Sequence, residues 1–447
     1  MSENYDLRDQ FDKAVQPTVT SGQLPPLMSD RSFIGMTVTQ FLGAFNDNLF
    51  KQLMLLLSLK VAVVDRQPLA MLVFSVPFLL FSGYAGFLSD RHSKRSVIVA
   101  SKIAEIFVML LGMTAFLVYG KLGFAGLLAV LFLMGTQSAF FGPGKYGILP
   151  EMLRQEDLPR ANGIILMTTF LAIIFGTASA GFLSSYVTGD AANVDAATAT
   201  QYWRASAICV LIAIVGTGTS LAIRRLQPSS PQLRLSASVF AVSSDTLKLL
   251  RQDQPLVTAL LASCMFWMLA GVTQQAVNSF GMHQLEIGDD KTSILAASIG
   301  IGIALGAVVA GRLSRSPTDF RVMNWGAWGM VIFLGLLALP GSQHGHLWGF
   351  SWSIGLLVVV GISTGMFAIP LQVFLQSRPP MGYKGRLIAA MNQANFLAIV
   401  LSSGVYWGFD LLVRQLGWNR SPIFAFTALI MLPVAIFYRP KSETTKS

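Results

Sequence analysis

"FLGAFNDNLFKQLMLLL", residues 41–57, ends as the middle of a membrane helix would, yet Asn46, Asp47, Asn48 and Lys51 stand where hydrocarbon should be. A charged side chain in the bilayer interior costs a few kcal/mol or more, so it persists where it faces protein, water or a partner. Gln40, Ala44, Asp47 and Lys51 follow one another at steps of four, three and four and share one helix face. That face is expected to be wet while the rest of the helix meets apolar surroundings.

The rest of the chain supports a membrane setting. Of its 447 residues 53% are hydrophobic and 12% charged, with a mean hydropathy of +0.58, far from the balance of a soluble domain. About 20 apolar residues cross the hydrocarbon core as a helix. Twelve such runs are predicted, at 33–60, 69–89, 96–119, 122–143, 161–187, 203–224, 255–282, 292–313, 322–340, 347–374, 385–413 and 421–438. The first thirty residues are polar and do not read as a secretory signal. The net charge of +10 is spread in short clusters between the runs, which argues for membrane orientation and against nucleic acid. With both termini inside, 23 of the 32 Lys and Arg fall in inner segments and 7 in outer ones, leaving Lys51 and Lys102 within spans. Positive residues collect on the cytoplasmic side, so both termini are expected there. Cys209 and Cys264 lie in apolar runs and read as small packing residues.

The chain also repeats itself. Arg160 lies over Arg386 and "FLAII" at 170–174 over "FLAIV" at 396–400, both 226 residues apart; "GFLS" at 86–89 lies over "GRLS" at 311–314, 225 apart. A nearly constant offset close to half the chain argues for duplication. Two six-helix bundles related by an axis along the membrane normal are the major facilitator architecture. The expected fold is therefore an all-α membrane protein of twelve transmembrane helices in two pseudo-symmetric bundles. Its expected parts are a tail at 1–32, a bundle at 33–224, a cytoplasmic linker at 225–254, a second bundle at 255–438 and a tail at 439–447. The linker's "LRLSASVFAVSSDTLKLL" reads as an amphipathic surface helix or a plain tether.

"GFLSDRHSKR", residues 86–95, resembles the major facilitator signature G-x-x-x-D-R-x-G-R-R: Gly86, Asp90, Arg91, Lys94 and Arg95 match and Ser93 replaces a glycine. An ordinary positive-inside loop would explain the basic residues but not Gly86 and Asp90 at that spacing. The resemblance implies that Asp90 meets the positive end of the eleventh helix, near Gly385 to Leu387, when the inner side is closed. Arg315 stands where the second half would repeat Asp90. "QSAFFGPGKYGILPEMLRQEDLPRANG", residues 137–163, together with "FLGAFNDNLFKQ", resembles the lysophospholipid transporter family and the transporter domains fused to lysophospholipid acyltransferases. Gly142, Pro143 and Gly144 are expected to break the fourth helix, placing Lys145 and Glu151 at an inner gate; a structural turn with a snorkelling lysine is the alternative. Arg91, Arg95, Arg160 and Arg386 complete the expected gating set.

In the major facilitator fold helices one, four, seven and ten line the cavity. The residues expected to bind substrate or couple transport are therefore Gln40, Asn46, Asp47, Asn48, Lys51, Gln137, Gln274, Asn278 and Gln372, with Gln275 and Gln376 nearby. Such amides also join helices structurally, and Asp47 has an alternative as the partner of Lys51 one turn on. Glu105 and Lys102 read as a local pair near the cytoplasmic end. Enzyme readings fail on spacing: His283 and Asp289 are too far apart for an acyltransferase's His-x4-Asp pair, and Lys145 is followed by Tyr146, so no phosphate loop forms. Four histidines and two cysteines offer no metal set, and no cofactor is expected. The resemblance implies a monomeric secondary transporter of a bacterial inner membrane, moving lysophospholipid inward for re-acylation, with a membrane-associated acyltransferase as a partner. The rivals are a cation-coupled exporter of amphipathic molecules, with Asp47 as its proton-coupling group, and a membrane scaffold for an acyltransferase.

Overall fold

The computed structural model describes residues 25–438 except 62–63, 190, 192, 234–249, 315–318, 342–345 and 379–383. Twelve long helices make up the described chain: α1 Arg31–Lys60, α2 Gln67–Arg91, α3 Lys94–Leu117, α4 Tyr119–Gly147, α5 Leu158–Thr188, α6 Trp203–Ser220, α7 Gln254–His283, α8 Asp289–Leu313, α9 Phe320–Leu337, α10 Phe350–Ser377, α11 Lys384–Gln415 and α12 Pro422–Phe437. Their starts are written in the sequence. Asp30, Asp253 and Asp319 cap α1, α7 and α9 by accepting from backbone N–H groups of the first turn, at 2.8 Å for Ser32, 3.1 Å for Leu256 and 3.0 Å for Arg321. Pro68, Pro255 and Pro422 occupy first turns, where the missing N–H removes no helical bond.

Ten of these helices are long and apolar enough to cross a membrane. The two that differ are α1, whose hydropathy is lowered by its polar stripe, and α12, with 16 residues. The expected break at Gly142–Gly144 is not seen: α4 runs through Pro143 to Gly147 and is followed by a short turn at Leu149–Met152. Its backbone irregularity lies instead at Gly123, in a left-handed conformation with φ +56°. The stretch read as an amphipathic linker helix falls largely outside the described residues, as does Arg315.

Packing repeats at an interval of six helices. In the first half α1 packs on α5 and α6, α4 on α2 and α3, and α3 on α6; in the second α7 packs on α11 and α12, α10 on α8 and α9, and α9 on α12. The halves meet through α2 on α11 and α5 on α8, pairings that the same operation exchanges. Corresponding pairs use the same device: a Cβ at Gly135 of α4 would lie 2.3 Å from the Phe74 carbonyl of α2, and one at Gly361 of α10 would lie 2.2 Å from the Ile299 carbonyl of α8. Without water to drive apolar association, such close backbone contact holds membrane helices together. A core including Leu53, Phe116 and Tyr202 fills the first half, and two others, around Met323 and Phe280, fill the second.

Candidate functional site

The wet face of α1 meets α4. Asp47 accepts from the Ser138 hydroxyl at 2.6 Å and from the Gln137 amide at 3.4 Å, and Gln137 also donates to Ser138 at 2.7 Å. Lys51 donates to Asn48 Oδ1 at 3.0 Å and sits 5.5 Å from the Phe74 ring centre on α2. The local ion pair considered for Asp47 and Lys51 is therefore not formed; each has its own partners, and both remain partly exposed. Lys145 donates to Thr169 at 2.8 Å, and Thr169 donates to Gln40 Oε1 at 2.8 Å. Lys145 is thus tied through Thr169 to Gln40, which stands on the same α1 face as Asp47. One carboxylate and two ammonium groups in a partly desolvated space suit a zwitterion, because charge-assisted hydrogen bonds serve both of its ends.

Several expected cavity residues lie elsewhere. Asn46 is buried, donating to Glu105 Oε1 at 2.8 Å and to the Cys209 carbonyl at 3.2 Å, because neighbouring helical residues point about 100° apart. Gln40 is buried but stays linked to the site, its amide donating to Thr168 at 2.6 Å while its oxygen accepts from Thr169. Asn278 and Gln275 belong to a seal between the halves. Gln274 is partly exposed and Gln372 exposed.

The seal lies at the end of the molecule where α1 finishes. Lys60 pairs with Asp289 at 2.7 Å, with side chains 3% and 0% exposed. Ser184 adds a bond to the same Asp289 oxygen at 2.5 Å, and Thr188 accepts from Lys60 at 3.1 Å. Alongside runs a second chain of bonds: Gln52 donates to Asn278 at 2.9 Å, Asn278 to Gln67 at 2.9 Å, Gln67 to Asp65 at 3.1 Å, and Tyr406 to Asp65 at 2.7 Å. Burial pushes the Asp65 carboxyl above its ordinary range, against the opposing hydrogen bonds from Gln67 and Tyr406. Every hydrogen bond between the two halves among the described residues lies at this end. The sequence counts Lys60 among the outer charges and offers Asp289 only as a partner too distant from His283; neither reading joins the two. The available signal was a lysine closing an unbroken apolar run and an acidic first turn on α8.

The opposite end holds the signature residues. Asp90 is more than half exposed with its carboxylate 3.8 Å from Lys94. Lys94 reaches Glu151 and Ser229, Ser229 donates to Glu151 at 2.6 Å, and the Ser230 N–H binds the Asp90 carbonyl at 2.9 Å. Lys145 donates to Thr169, while Glu151 is held by Lys94 and Ser229. Arg95 donates to the Ile223 carbonyl at 2.6 Å, beyond the end of α6. Arg91 lies 5.9 Å from the Phe87 ring, Arg160 is exposed at the start of α5, and a Cβ at Gly86 would meet nothing within 4 Å. The Arg386 side chain lies outside the described residues.

A family model described as "Major Facilitator Superfamily" matches residues 32–403. The lysophospholipid transporter LplT of Pectobacterium carotovorum subsp. carotovorum (strain PC1) is 27% identical over 394 residues, covering 85% of this chain and 87% of that protein. LplT of Serratia proteamaculans (strain 568) is 27% identical over 389 residues, covering 85% and 89%. Among solved structures, a POT family transporter in complex with 5-aminolevulinic acid superposes with a TM-score of 0.71 at 13% identity, over 94% of this chain and 98% of that one. A bacterial homologue of the iron transporter ferroportin in an inward-facing state superposes with a TM-score of 0.64 at 14% identity, over 92% and 100%. At such identities the structural likeness speaks for the fold.

Proposed function

The chain belongs to the Major Facilitator Superfamily, and we propose that it carries lysophospholipid across a bacterial inner membrane by alternating access. It is a multi-pass membrane transporter, not an enzyme. The observation that carries the substrate reading is that Asp47, bonded to Ser138 and Gln137, shares one α1 face with Lys51 and with Gln40, which Thr169 links to Lys145. In our reading Asp47 takes the headgroup amine, while Lys51 and Lys145 take the phosphate at successive stages. The names of the 27%-identical relatives support the same substrate.

The division into bundles at 33–224 and 255–438, joined by a cytoplasmic linker at 225–254, is part of this proposal, as is a monomer that hands its product to a membrane-associated acyltransferase. The distribution of Lys and Arg supports cytoplasmic termini. With that orientation the Lys60–Asp289 end faces outward and the cavity opens to the cytoplasm. Asp90 and Gly86 then await α11, and Gly86 leaves room for its approach.

The test is uptake of labelled lysophosphatidylethanolamine into right-side-out and inverted vesicles, with and without ion gradients. Asp47→Asn keeps the shape and removes the charge. It is expected to abolish uptake at an unchanged amount of folded protein. Undiminished uptake would sink the site, and loss of lipophilic-cation efflux in its place would favour the exporter.

A further inference from the structure

A second set of charges lies buried between α1, α3 and α6. Lys102 and Glu105 on α3 form an ion pair whose side chains are 1% and 2% exposed. Glu105 stands eleven residues into α3, roughly 16 Å along its axis, and so near mid-depth rather than at the cytoplasmic end, where its sequence position suggested it. Replacing a buried ion pair by apolar residues of similar volume is often neutral or stabilising, so stability alone does not explain the pair.

Its surroundings are shaped to keep it. A Cβ at Gly43 of α1 would lie 3.2 Å from the Lys102 ammonium, and one at Gly216 of α6 would lie 3.0 Å away. The two glycines leave a slot for that group. Of the Glu105 oxygens, one accepts from Lys102 and the other from the Asn46 amide at 2.8 Å. Asn46 also donates to the Cys209 carbonyl of α6 at 3.2 Å. Its side chain is thereby fixed to both neighbouring helices, and it immediately precedes Asp47.

We infer that Lys102, Glu105 and Asn46 are positioning residues: together they set the rotation of α1 that aims Asp47 at Ser138 and the cavity. Lys102 orients and neutralises Glu105, Glu105 holds Asn46, and Asn46 fixes a helix on which the next side chain projects about 100° away. The inference rests on the reading that Asp47 holds the headgroup, and the experiment separates the two.

Two double variants remove the charge pair and differ in the link. Lys102→Met with Glu105→Gln keeps an acceptor for Asn46, whereas Lys102→Met with Glu105→Leu does not. Both are measured for folded amount, for KM and maximal rate of lysophosphatidylethanolamine uptake, and for labelling of an Ala44→Cys reporter. The reporter is placed in a background where Cys209 and Cys264 are alanine, and the reagent is a membrane-impermeant thiol label. The leucine variant is expected to raise KM about tenfold with a changed labelling rate, as a small misplacement of a binding group does. The glutamine variant is expected to restore both to within about twofold. Should the leucine variant fail to reach the membrane, Asn46→Leu removes the same link with the ion pair intact, and the same readouts decide. Wild-type labelling and KM in a folded, link-free variant would overturn the inference. Altered labelling with wild-type KM would keep the positioning and refute Asp47 as the headgroup contact.

Discussion

The two halves pack their helices alike and differ in what they place at mid-membrane. The first half holds Asp47, Lys51, Lys102 and Glu105 well inside its helices, with Lys145 in the last turn of α4. In the second, the charges of the described helices sit at their ends: Asp289, Asp290, Lys291 and Arg312 on α8, Arg321 on α9, and Asp410 and Arg414 on α11. Both halves bring their helices together through glycines at corresponding pairs, so packing does not require the charges. The difference belongs to chemistry: one half is built to meet ions, and the other supplies an apolar wall with a few amides. Among the described residues, only at the seal does each contribute one charge of a pair, Lys60 from one side and Asp289 from the other.

That shared pair is where the largest effect is expected. Asp289→Ala would strand Lys60 in a buried site, at a cost of about 3–5 kcal/mol to the sealed arrangement. Thermal stability should fall, and labelling of a Ser293→Cys reporter, beside Gly181 at the interface between α5 and α8, should rise. Lys60→Met combined with Asp289→Leu should recover most of the stability. If Asp289→Ala left labelling unchanged, the pair would be an ornament of the interface and not its lock.

Next in size is a contrast between the halves themselves. Removing a hydrogen bond to a charged group costs about 1.5–3 kcal/mol, so Asp47→Asn should cost transport at least tenfold. Gln274→Leu, on the cavity helix of the other half, should cost about 1 kcal/mol at most. Equal losses would end the division of labour drawn between the halves.

The sequence carried much of this and hid the rest for physical reasons. Membrane class, twelve helices and the repeat were legible because each rests on runs of some twenty residues or on a constant offset. Asp47 and Lys51 were legible because ionised groups inside an apolar run need an explanation. Asn46 is misread because adjacency in sequence is not adjacency on a helix; its neighbour meets Ser138 of α4 while it meets Glu105 of α3. Gln275 and Asn278 share α7 with Gln274, and nothing in the sequence says which depth is sealed and which is open. The Lys60–Asp289 pair joins residues 229 apart in the chain, and no local pattern connects them. Pro143 misled because proline punctuates helices in general, whereas α4 passes through it.

A smaller effect lies in the apolar seam between the halves. Phe78 on α2 stacks on Phe396 on α11, with ring centres 4.9 Å apart and planes 15° from parallel. Phe396 opens the "FLAIV" that repeats "FLAII" of the first half. An aromatic pair of this kind adds about 0.5–1.5 kcal/mol beyond burial, so a cycle of Phe78→Leu, Phe396→Leu and both together should give a coupling energy of that size. Full additivity would mean that this seam acts through its shape alone.

The smallest expected effect concerns pH at the seal, because opposed influences act on Asp65. Burial raises its carboxyl above the ordinary value of about 3.9, while bonds from the Gln67 backbone, Tyr406 and Gln67 side chains and the charge of Arg420 act the other way. A raised pKa means that the sealed arrangement binds more protons than one in which Asp65 meets water. Stability rises with pH where the alternative state binds more protons; here it binds fewer, so the seal should weaken as pH rises from the ordinary carboxylate value through the raised one. Above that value no further change is expected from this group. Labelling of Ser293→Cys should therefore increase from acid toward neutral pH, and Asp65→Asn should flatten the profile by removing the titrating group while keeping an acceptor for Tyr406. Asp410, close enough to influence Tyr406 and bonded to Arg420, is the competing source of such a slope. A profile that survives in Asp65→Asn and disappears in Asp410→Asn would move the titration from the first half to the second, and with it part of the electrostatic asymmetry between them.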